Sequence, residues 1–282
     1  MRGVAFILGI IGIYFASLLF ITEEEVVRPP SISGKVVTKE VTFPNFEDPR
    51  FLRIYLPADY ETSDKEYPVI YMHDGQNLFD DATSYGGEWG IDETLLSLEK
   101  SGFSGAIVVG IDNSGIGRMS EYAPWSFSLK KFNYRGLGAA YLNHVADVIK
   151  PDIDETYRTK IGPEHTVLAG SSMGGLISLY GGLTRADTFG KVMALSSTLI
   201  EDVVGDNFIN MIKFPRATSP SLIYLDIGDL EADSRLINRT QMIATAIRNE
   251  GIEVKFEVIQ GGLHKESAWR DRFADILEKM DL

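Results

Sequence analysis

Short apolar runs alternate with segments of helical periodicity along most of this chain. Such runs, bounded by glycine, proline or polar residues, are typical of buried strands, whereas apolar residues that recur every three or four positions indicate helices. The predicted strands are 68–72, 106–111, 166–169, 191–196, 222–227 and 254–259, and the predicted helices are 91–100, 136–149, 176–183, 235–249 and 267–280. This alternation predicts an α/β fold with a mostly parallel central sheet and helices on both faces.

Two more predicted strands, 36–43 and 51–56, precede the alternating region. The turn between them, at 44–49, is short, which predicts an antiparallel hairpin at one edge of the sheet. Residues 198–220 are long enough for a small cap over the sheet edge and too short for a large lid.

Three residues mark predicted helix boundaries. Asp92 is predicted to start its helix, and Ser267 is predicted to cap the last helix. Pro151 is predicted to end the helix over 136–149, because proline lacks the amide hydrogen that a helix interior needs.

The amino terminus has the pattern of a membrane segment. Arg2 precedes an apolar run from Val4 to Ile21, about 18 residues, which is close to the length that spans a bilayer. Positive charge before the run and three glutamates after it predict a cytoplasmic amino end. No small-residue cleavage site follows Ile21, so residues 1–22 are predicted to be an uncleaved anchor, with a cleaved signal peptide as the alternative.

The rest of the chain divides into a linker and one large domain. Residues 23–34, which contain Pro29, Pro30 and Gly34, are predicted to be a linker, and 35–282 a globular domain outside the cytoplasm. The net charge of −13 argues against a nucleic-acid-binding protein. The absence of cysteine excludes disulfides, thiol catalysis and cysteine-ligated zinc.

The segment from Gly170 to Gly174 joins a predicted strand to a predicted helix. It fits the G-x-S-x-G pattern of a nucleophile elbow, with Ser172 at the apex. In such a turn the apex backbone is strained, and strand and helix pass so close that only small residues fit beside it. Ser172 is therefore the candidate nucleophile.

A serine hydroxyl needs a neighbouring base to act as a nucleophile. The chain has four histidines, and His264 is the one that follows the last predicted strand, where the base lies in α/β-hydrolases. His73 also ends a strand but precedes the serine, and His144 and His165 lie in a helix and a turn. His264 is therefore the candidate base.

The acid that orients the base is expected after the strand over 222–227. Asp229, Glu231 and Asp233 supply three carboxylates in that loop, and the spacing alone does not choose among them.

Several motifs, in this order, resemble those of one known family. They are Tyr-Met-His-Asp-Gly-Gln-Asn-Leu-Phe at 71–79, Ile-Asp-Asn at 111–113 followed by Arg118, Glu121 and Tyr122, Pro-Asp-Ile at 151–153 with Tyr-Arg-Thr at 157–159, and Gly-Ser-Ser-Met-Gly-Gly at 170–175. Over most of 35–282 the chain resembles the putative esterase family of α/β-hydrolases, which includes feruloyl and acetylxylan esterases, esterase D, enterochelin-type siderophore esterases and mycolyltransferases.

The resemblance implies an α/β-hydrolase fold and a role for several further residues. The family's acid lies three positions after a glycine, so Gly228 points to Glu231, with Asp229 and Asp233 as alternatives. The oxyanion hole is expected to use the backbone N–H of Met173 and one from Gln76 or Gly75. The predicted substrate contacts are His73, Asp74, Trp89, Arg118, Glu121 and Tyr122, for which a core or surface-loop position is the alternative.

The sequence thus predicts a membrane-tethered, extracytoplasmic serine carboxylic-ester hydrolase that needs no metal or cofactor. Short acyl or aryl esters of carbohydrates or similar small molecules are the expected substrates, since the acidic chain suits neutral ligands. The alternatives are an acyltransferase with the same residues, a siderophore esterase, and a non-catalytic binding domain of the same fold.

Overall fold

The computed structural model describes residues 30–214 and 217–282. The strands are β1 (Lys35–Phe43), β2 (Phe46–Leu56), β3 (Val69–His73), β4 (Ile107–Ile111), β5 (Phe127–Leu129), β6 (Phe132–Tyr134), β7 (Thr166–Ser171), β8 (Lys191–Leu195), β9 (Leu222–Gly228) and β10 (Glu253–Ile259). The predicted anchor over 1–22 and the start of the predicted linker lie outside the described residues.

The helices cover both faces of the sheet. They are α1 (Ile91–Lys100), α2 (Arg118–Glu121), α3 (Gly138–His144), α4 (Lys150–Thr156), α5 (Met173–Thr184), α6 (Glu201–Val204), α7 (Asn207–Ile212), α8 (Ser234–Asn249) and α9 (Glu266–Lys279). Single 3-10 turns lie at Gly75–Asn77, Gly115–Gly117 and Pro163–His165. In the described part of the chain, no helix is both long and apolar enough to cross a membrane.

The central sheet has eight strands in the order β1-β2-β4-β3-β7-β8-β9-β10. The strands from β4 to β10 in this order are parallel, whereas β1 pairs antiparallel with β2, and β2 antiparallel with β4. The predicted α/β architecture and the antiparallel edge hairpin are confirmed. Strand β2 starts at Phe46, so the turn is shorter than predicted. Strands β5 and β6 form a separate small hairpin.

Two apolar cores lie on opposite faces of this sheet. Along β3, Val69 and Tyr71 belong to one core, while Ile70 and Met72 belong to the other. Every residue of β3, β4 and β7 is buried, because helices cover both faces of these central strands. The unbroken apolar runs in the sequence have this double burial as their cause.

Three predicted helix boundaries are wrong. The chain does not stop at Pro151 but passes through a π turn at Val145–Ile149 into α4, where Pro151 lies in the first turn and needs no amide hydrogen. Helix α9 begins one residue before Ser267, with Lys265 as its N-cap. Gly90, with φ 60°, is the N-cap of α1, and the Asp92 carboxylate accepts hydrogen bonds from another segment of the chain.

That segment is the end of the predicted linker. The backbone N–H groups of Ser33 and Gly34 donate to Asp92 Oδ2 at 2.7 and 3.2 Å, and Ser31 Oγ donates to Glu88 at 2.7 Å. Residues 31–34 are therefore hydrogen-bonded to the domain rather than extending away from it as a flexible spacer.

Helix α5 approaches the sheet closely because glycines face the strands. A Cβ atom at Gly182 would lie 2.1 Å from Cγ2 of Val192, and one at Gly181 would lie 2.5 Å from Cδ2 of Leu168. These glycines set the depth at which α5, and therefore its first turn, lies against β7 and β8.

We expect Gly182→Ala to destabilise the protein by about 1 to 2 kcal/mol, because the clash with buried Val192 outweighs the gain in helix propensity. Chemical denaturation measures this. Adding Val192→Ala removes the clashing methyl group, so the double variant should be more stable than the sum of the single effects predicts. A Gly182→Ala protein more stable than wild type would contradict the packing argument.

Candidate active site

Ser172 lies at the junction of β7 and α5 in a backbone conformation that is rare for a residue with a side chain, with φ 58° and ψ −122°. Its N–H donates to the Leu195 carbonyl, and its carbonyl accepts from the N–H of Thr198, both at 3.0 Å. A Cβ atom at Gly170 would lie 2.8 Å from the carbonyl carbon of Gly174. The turn is therefore as tight as the glycine spacing predicts.

The loops that carry the other candidate residues leave the same edge of the sheet. Strand β7 pairs with β8 so that Ser171 lies opposite Leu195, and β9 pairs with β10 so that Gly228 lies opposite Ile259. Because all four strands are parallel, their carboxyl ends meet at one edge, as in other open α/β sheets with a ligand site.

Glu231 and His264 contact each other directly at this edge. Glu231 Oε2 lies 2.7 Å from His264 Nδ1, and Glu231 Oε1 accepts from the backbone N–H of Gly228. Burial alone would raise the pKa of Glu231, but the hydrogen bond and charge of His264 hold it below its usual value. Glu231 is thus an ionised, buried partner for the imidazole.

The two alternative carboxylates have other partners. Asp229 Oδ1 accepts from the N–H of Gly261 at 2.7 Å, which ties the two loops together. Asp233 caps α8 by accepting from the N–H groups of Arg235 and Leu236 at 3.1 and 3.0 Å. Of the three carboxylates that the sequence offers, Glu231 is therefore the one that contacts His264.

The second ring nitrogen of His264 makes no hydrogen bond within the described part of the chain. With Nδ1 donating to the carboxylate of Glu231, the other ring nitrogen, Nε2, is the acceptor, and it is buried without a partner among the described residues. Ser172 Oγ instead lies 3.3 Å from Thr198 Oγ1. The hydrogen-bond partner of the Ser172 hydroxyl in this structure is therefore Thr198 and not His264.

The predicted oxyanion donors lie in two positions suited to that role. Met173 is the first residue of α5, so its N–H has no acceptor within the helix and lies at the positive end of the helix dipole. Gly75 and Gln76 form a tight turn packed on β4, where a Cβ atom at Gly75 would lie 2.6 Å from the carbonyl carbon of Gly110. Only glycine allows this approach.

Four of the predicted substrate contacts form one buried network next to the Gly75–Gln76 turn: His73, Asp74, Arg118 and Tyr122. Arg118 donates to both carboxylate oxygens of Asp74, from Nε at 2.6 Å and from Nη2 at 2.7 Å, and the N–H of Asp74 donates to the Tyr122 hydroxyl at 3.2 Å. Burial raises the pKa of Asp74, but Arg118 more than offsets this and holds it below its usual value. His73 packs against Tyr122 with ring centroids 5.2 Å apart.

The other two also lie in the interior. Glu121 is fully buried and pairs with Arg50 at 2.6 Å. Trp89 is 3% exposed and stacks on Trp269 with ring centroids 5.4 Å apart, so it presents no open face to a sugar or aryl ring. All six side chains are buried, which is the core position that the sequence allowed as the alternative, and their contact with substrate stays a prediction.

The sequence-based prediction missed two residues at the carboxyl end of β8. Thr198 contacts the Ser172 hydroxyl, and Ser196 has φ 45° and is 3% exposed. The available signal was the polar run Ser196-Ser197-Thr198 directly after a buried strand that neighbours the strand of Ser172.

His73 provides a test of the burial beneath the site. Burial lowers its pKa from 6.5 to about 3, although the charge of Asp74 opposes the shift, and Nδ1 lies 2.8 Å from the Tyr141 hydroxyl. Between these two values the unfolded chain binds a proton that folded His73 does not. The contribution of neutral His73 to the free energy of unfolding is therefore complete above pH 6.5. It falls by roughly 1.4 kcal/mol per pH unit as the pH falls toward 3.

We expect His73→Asn to lose that part of the pH dependence. The difference in unfolding free energy between wild type and variant should shrink steadily from pH 6.5 to pH 4 in urea titrations. The matched control is His165→Asn, at a histidine whose side chain is 41% exposed, and this variant should keep the wild-type slope. If the curves of unfolding free energy against pH are parallel for wild type and His73→Asn, then His73 binds its proton in the folded protein as it does in the unfolded chain, which contradicts the burial argument.

Comparison with known proteins identifies the family of this chain. The sequence model of the family described as "Putative esterase" matches residues 44–280. A Bacillus subtilis (strain 168) protein, YbbA, is 23% identical over 242 residues, which cover 81% of this chain and 91% of YbbA.

Two solved structures share the fold. A ferulic acid esterase is 22% identical with a TM-score of 0.64, over 87% of this chain and 97% of that one. A siderophore hydrolase from Aspergillus nidulans is 16% identical with a TM-score of 0.69, over 92% of this chain and 99% of that one. With the family match over most of its length, the chain belongs to the putative esterase family and is a carboxylic ester hydrolase.

Proposed function

We propose that Ser172, His264 and Glu231 are the catalytic triad of a serine esterase that works through an acyl-enzyme. The observation that carries the proposal is the 2.7 Å contact between Glu231 and His264 at the sheet edge where Ser172 occupies its strained turn. A buried carboxylate fixes both the orientation and the tautomer of the imidazole, which leaves Nε2 as the base.

The reaction then follows from these positions. Ser172 Oγ attacks the ester carbonyl as its proton passes to His264 Nε2, and the protonated imidazole returns that proton to the leaving alcohol. The N–H groups of Met173 and of the Gly75–Gln76 turn stabilise the oxyanion, each by about 3 kcal/mol. Water, activated by His264, hydrolyses the acyl-enzyme and restores Ser172.

Neutral acyl or feruloyl esters of carbohydrates are the proposed substrates. The chain carries 40 acidic against 27 basic side chains, a net charge of −13. This balance disfavours strongly anionic ligands such as ferric catecholates. The similarity to a ferulic acid esterase supports the same class, and the similarity to a siderophore hydrolase makes a siderophore ester the second candidate.

The cellular placement rests on the sequence. The apolar run from Val4 to Ile21, flanked by Arg2 and by glutamates, supports a domain tethered at the outer face of a membrane. Polymeric substrates that do not enter the cell suit this location.

A fluorophosphonate probe tests the nucleophile. We expect wild type to be labelled at one site, Ser172→Ala to lose labelling and ester hydrolysis by about 10³-fold or more, and Ser171→Ala, the neighbouring hydroxyl, to retain both. Peptide mapping by mass spectrometry locates the label. Labelling of folded Ser172→Ala at the wild-type level, or none of wild type, would contradict the proposed triad.

The substrate class is resolved by comparing kcat/KM for acetyl and feruloyl sugar esters with that for a catecholate triester. The proposal predicts the higher value for the neutral sugar esters, and a preference for the catecholate would favour the second candidate.

A further inference from the structure

A buried carboxylate lies next to both halves of the proposed oxyanion hole. Asp74 directly precedes the Gly75–Gln76 turn, and a Cβ atom at Gly174, the residue after Met173, would lie 3.3 Å from Asp74 Oδ2. Asp74 is 5% exposed and has φ 60° and ψ 47°, a left-handed conformation that costs free energy for a residue with a side chain. Such strain persists where surrounding contacts fix the residue, so the contacts of Asp74 identify what the conformation serves.

The backbone of Asp74 closes the turn that carries one pair of candidate donors. The N–H of Asn77 donates to the Asp74 carbonyl at 2.9 Å, and the N–H of Leu78 donates to the Gly75 carbonyl at 3.2 Å. These two hydrogen bonds use the amides that follow Gln76. The N–H groups of Gly75 and Gln76 therefore have no acceptor within the turn, and their position depends on that of Asp74.

The side chain of Asp74 is fixed by three N–H donors from the loop after β4. Arg118 donates to both carboxylate oxygens, from Nε at 2.6 Å and from Nη2 at 2.7 Å, and Asn113 Nδ2 donates to Oδ1 at 2.7 Å. The backbone N–H of Asn113 also donates to Gln76 Oε1 at 3.2 Å. This loop therefore braces the turn through Asp74 and through Gln76.

The brace places a negative charge where the proposed reaction develops a second one. Burial raises the pKa of Asp74, but the charge and hydrogen bonds of Arg118 hold it below its usual value, so the carboxylate is ionised. An unpaired carboxylate here would repel the oxyanion of the transition state, and buried surroundings screen such repulsion poorly. A guanidinium in bidentate contact cancels the charge at its source.

We propose that Arg118 is a positioning residue of the oxyanion hole, which acts through Asp74 by neutralising the carboxylate beside the two amide donors. This inference rests on the proposed function of Met173 and of the Gly75–Gln76 turn. Arg118 touches no reacting atom in this role, because its guanidinium is bound to Asp74 and lies 5.1 Å from the centroid of the Tyr122 ring. Asp74 supplies the acceptors that brace the turn, and Arg118 removes the electrostatic cost of placing them there.

The test compares Arg118→Gln and Asp74→Asn with wild type on a neutral ester. Asparagine adopts φ 60° readily, and each substitution leaves a side chain that keeps one hydrogen bond across the pair. Arg118→Gln leaves an unpaired carboxylate beside the donors, so we expect kcat to fall about 10²-fold with KM changed less than about threefold. Asp74→Asn leaves a cation, which does not repel the oxyanion, and should keep kcat within about threefold.

The double variant, Asp74→Asn with Arg118→Gln, has neither charge and should recover about tenfold of the kcat that Arg118→Gln loses. Arg118→Lys keeps the charge without the bidentate geometry and should stay within about threefold of wild type, which provides a test even where Arg118→Gln does not fold. Each kcat is measured on folded protein below the melting temperature of the variant, so that lost stability does not enter the comparison.

A pair that only braces the turn loses the same contacts in either single variant. Equal losses of kcat in Arg118→Gln and Asp74→Asn, a double variant no better than Arg118→Gln, or a 10²-fold loss in folded Arg118→Lys would therefore overturn the proposal.

The matched control is Arg185→Gln at the other end of α5, where Arg185 Nη2 donates to Asp147 Oδ1 at 2.6 Å. This variant also breaks an ion pair and should keep the wild-type kcat. Failure of this inference alone leaves wild type active and Ser172→Ala inactive. If wild type neither hydrolyses esters nor reacts at Ser172, the proposed function fails, and this inference fails with it.

Discussion

The close crossing of β7 and α5 is the constraint on which the rest of the site depends. Gly170 lets strand and helix approach within contact of their backbones, and Ser172 at the crossing adopts φ 58° and ψ −122°, which is rare for a residue with a side chain. The side chain then projects from the sheet edge instead of packing into either core, and the amide of Met173 is left at the start of the helix. One strained residue therefore places a hydroxyl beside an amide that has no acceptor within its helix, and the packing of α5 against the sheet offsets the cost of the strain.

Buried ion pairs fix the loops around that turn. Asp74 with Arg118, Glu121 with Arg50, and Asp226 with Arg272 each join segments that are distant in sequence. Burying such pairs adds little net stability, but removing one partner leaves an uncompensated charge that costs about 3 to 5 kcal/mol, so they specify one arrangement of the loops. Glu231 differs from these acids because its partner is a histidine with a free second nitrogen, and that difference separates a structural carboxylate from a catalytic candidate.

Local patterns in the sequence predict the sheet well, and long-range contacts account for what they miss. Apolar runs such as 69–73 identify the buried strands, and the glycine spacing around 172 predicts the turn, since both signals are local. Pro151 misleads, because a proline that ends a helix and one in the first turn of the next helix look the same in sequence. The burial of Trp89 depends on Trp269, which lies far along the chain, and the choice among Asp229, Glu231 and Asp233 depends on where two loops meet.

The proposed triad depends on Glu231 to orient His264, and one set of three isosteric variants tests this role most directly. Glu231→Gln keeps the side-chain shape but removes the charge, and we expect a loss in kcat of about 10³- to 10⁴-fold on a neutral ester. Asp229→Asn and Asp233→Asn change residues that hold a loop and cap a helix, and should retain kcat within about threefold. Activity retained by Glu231→Gln, or an equal loss in folded Asp229→Asn or Asp233→Asn, would contradict the assignment.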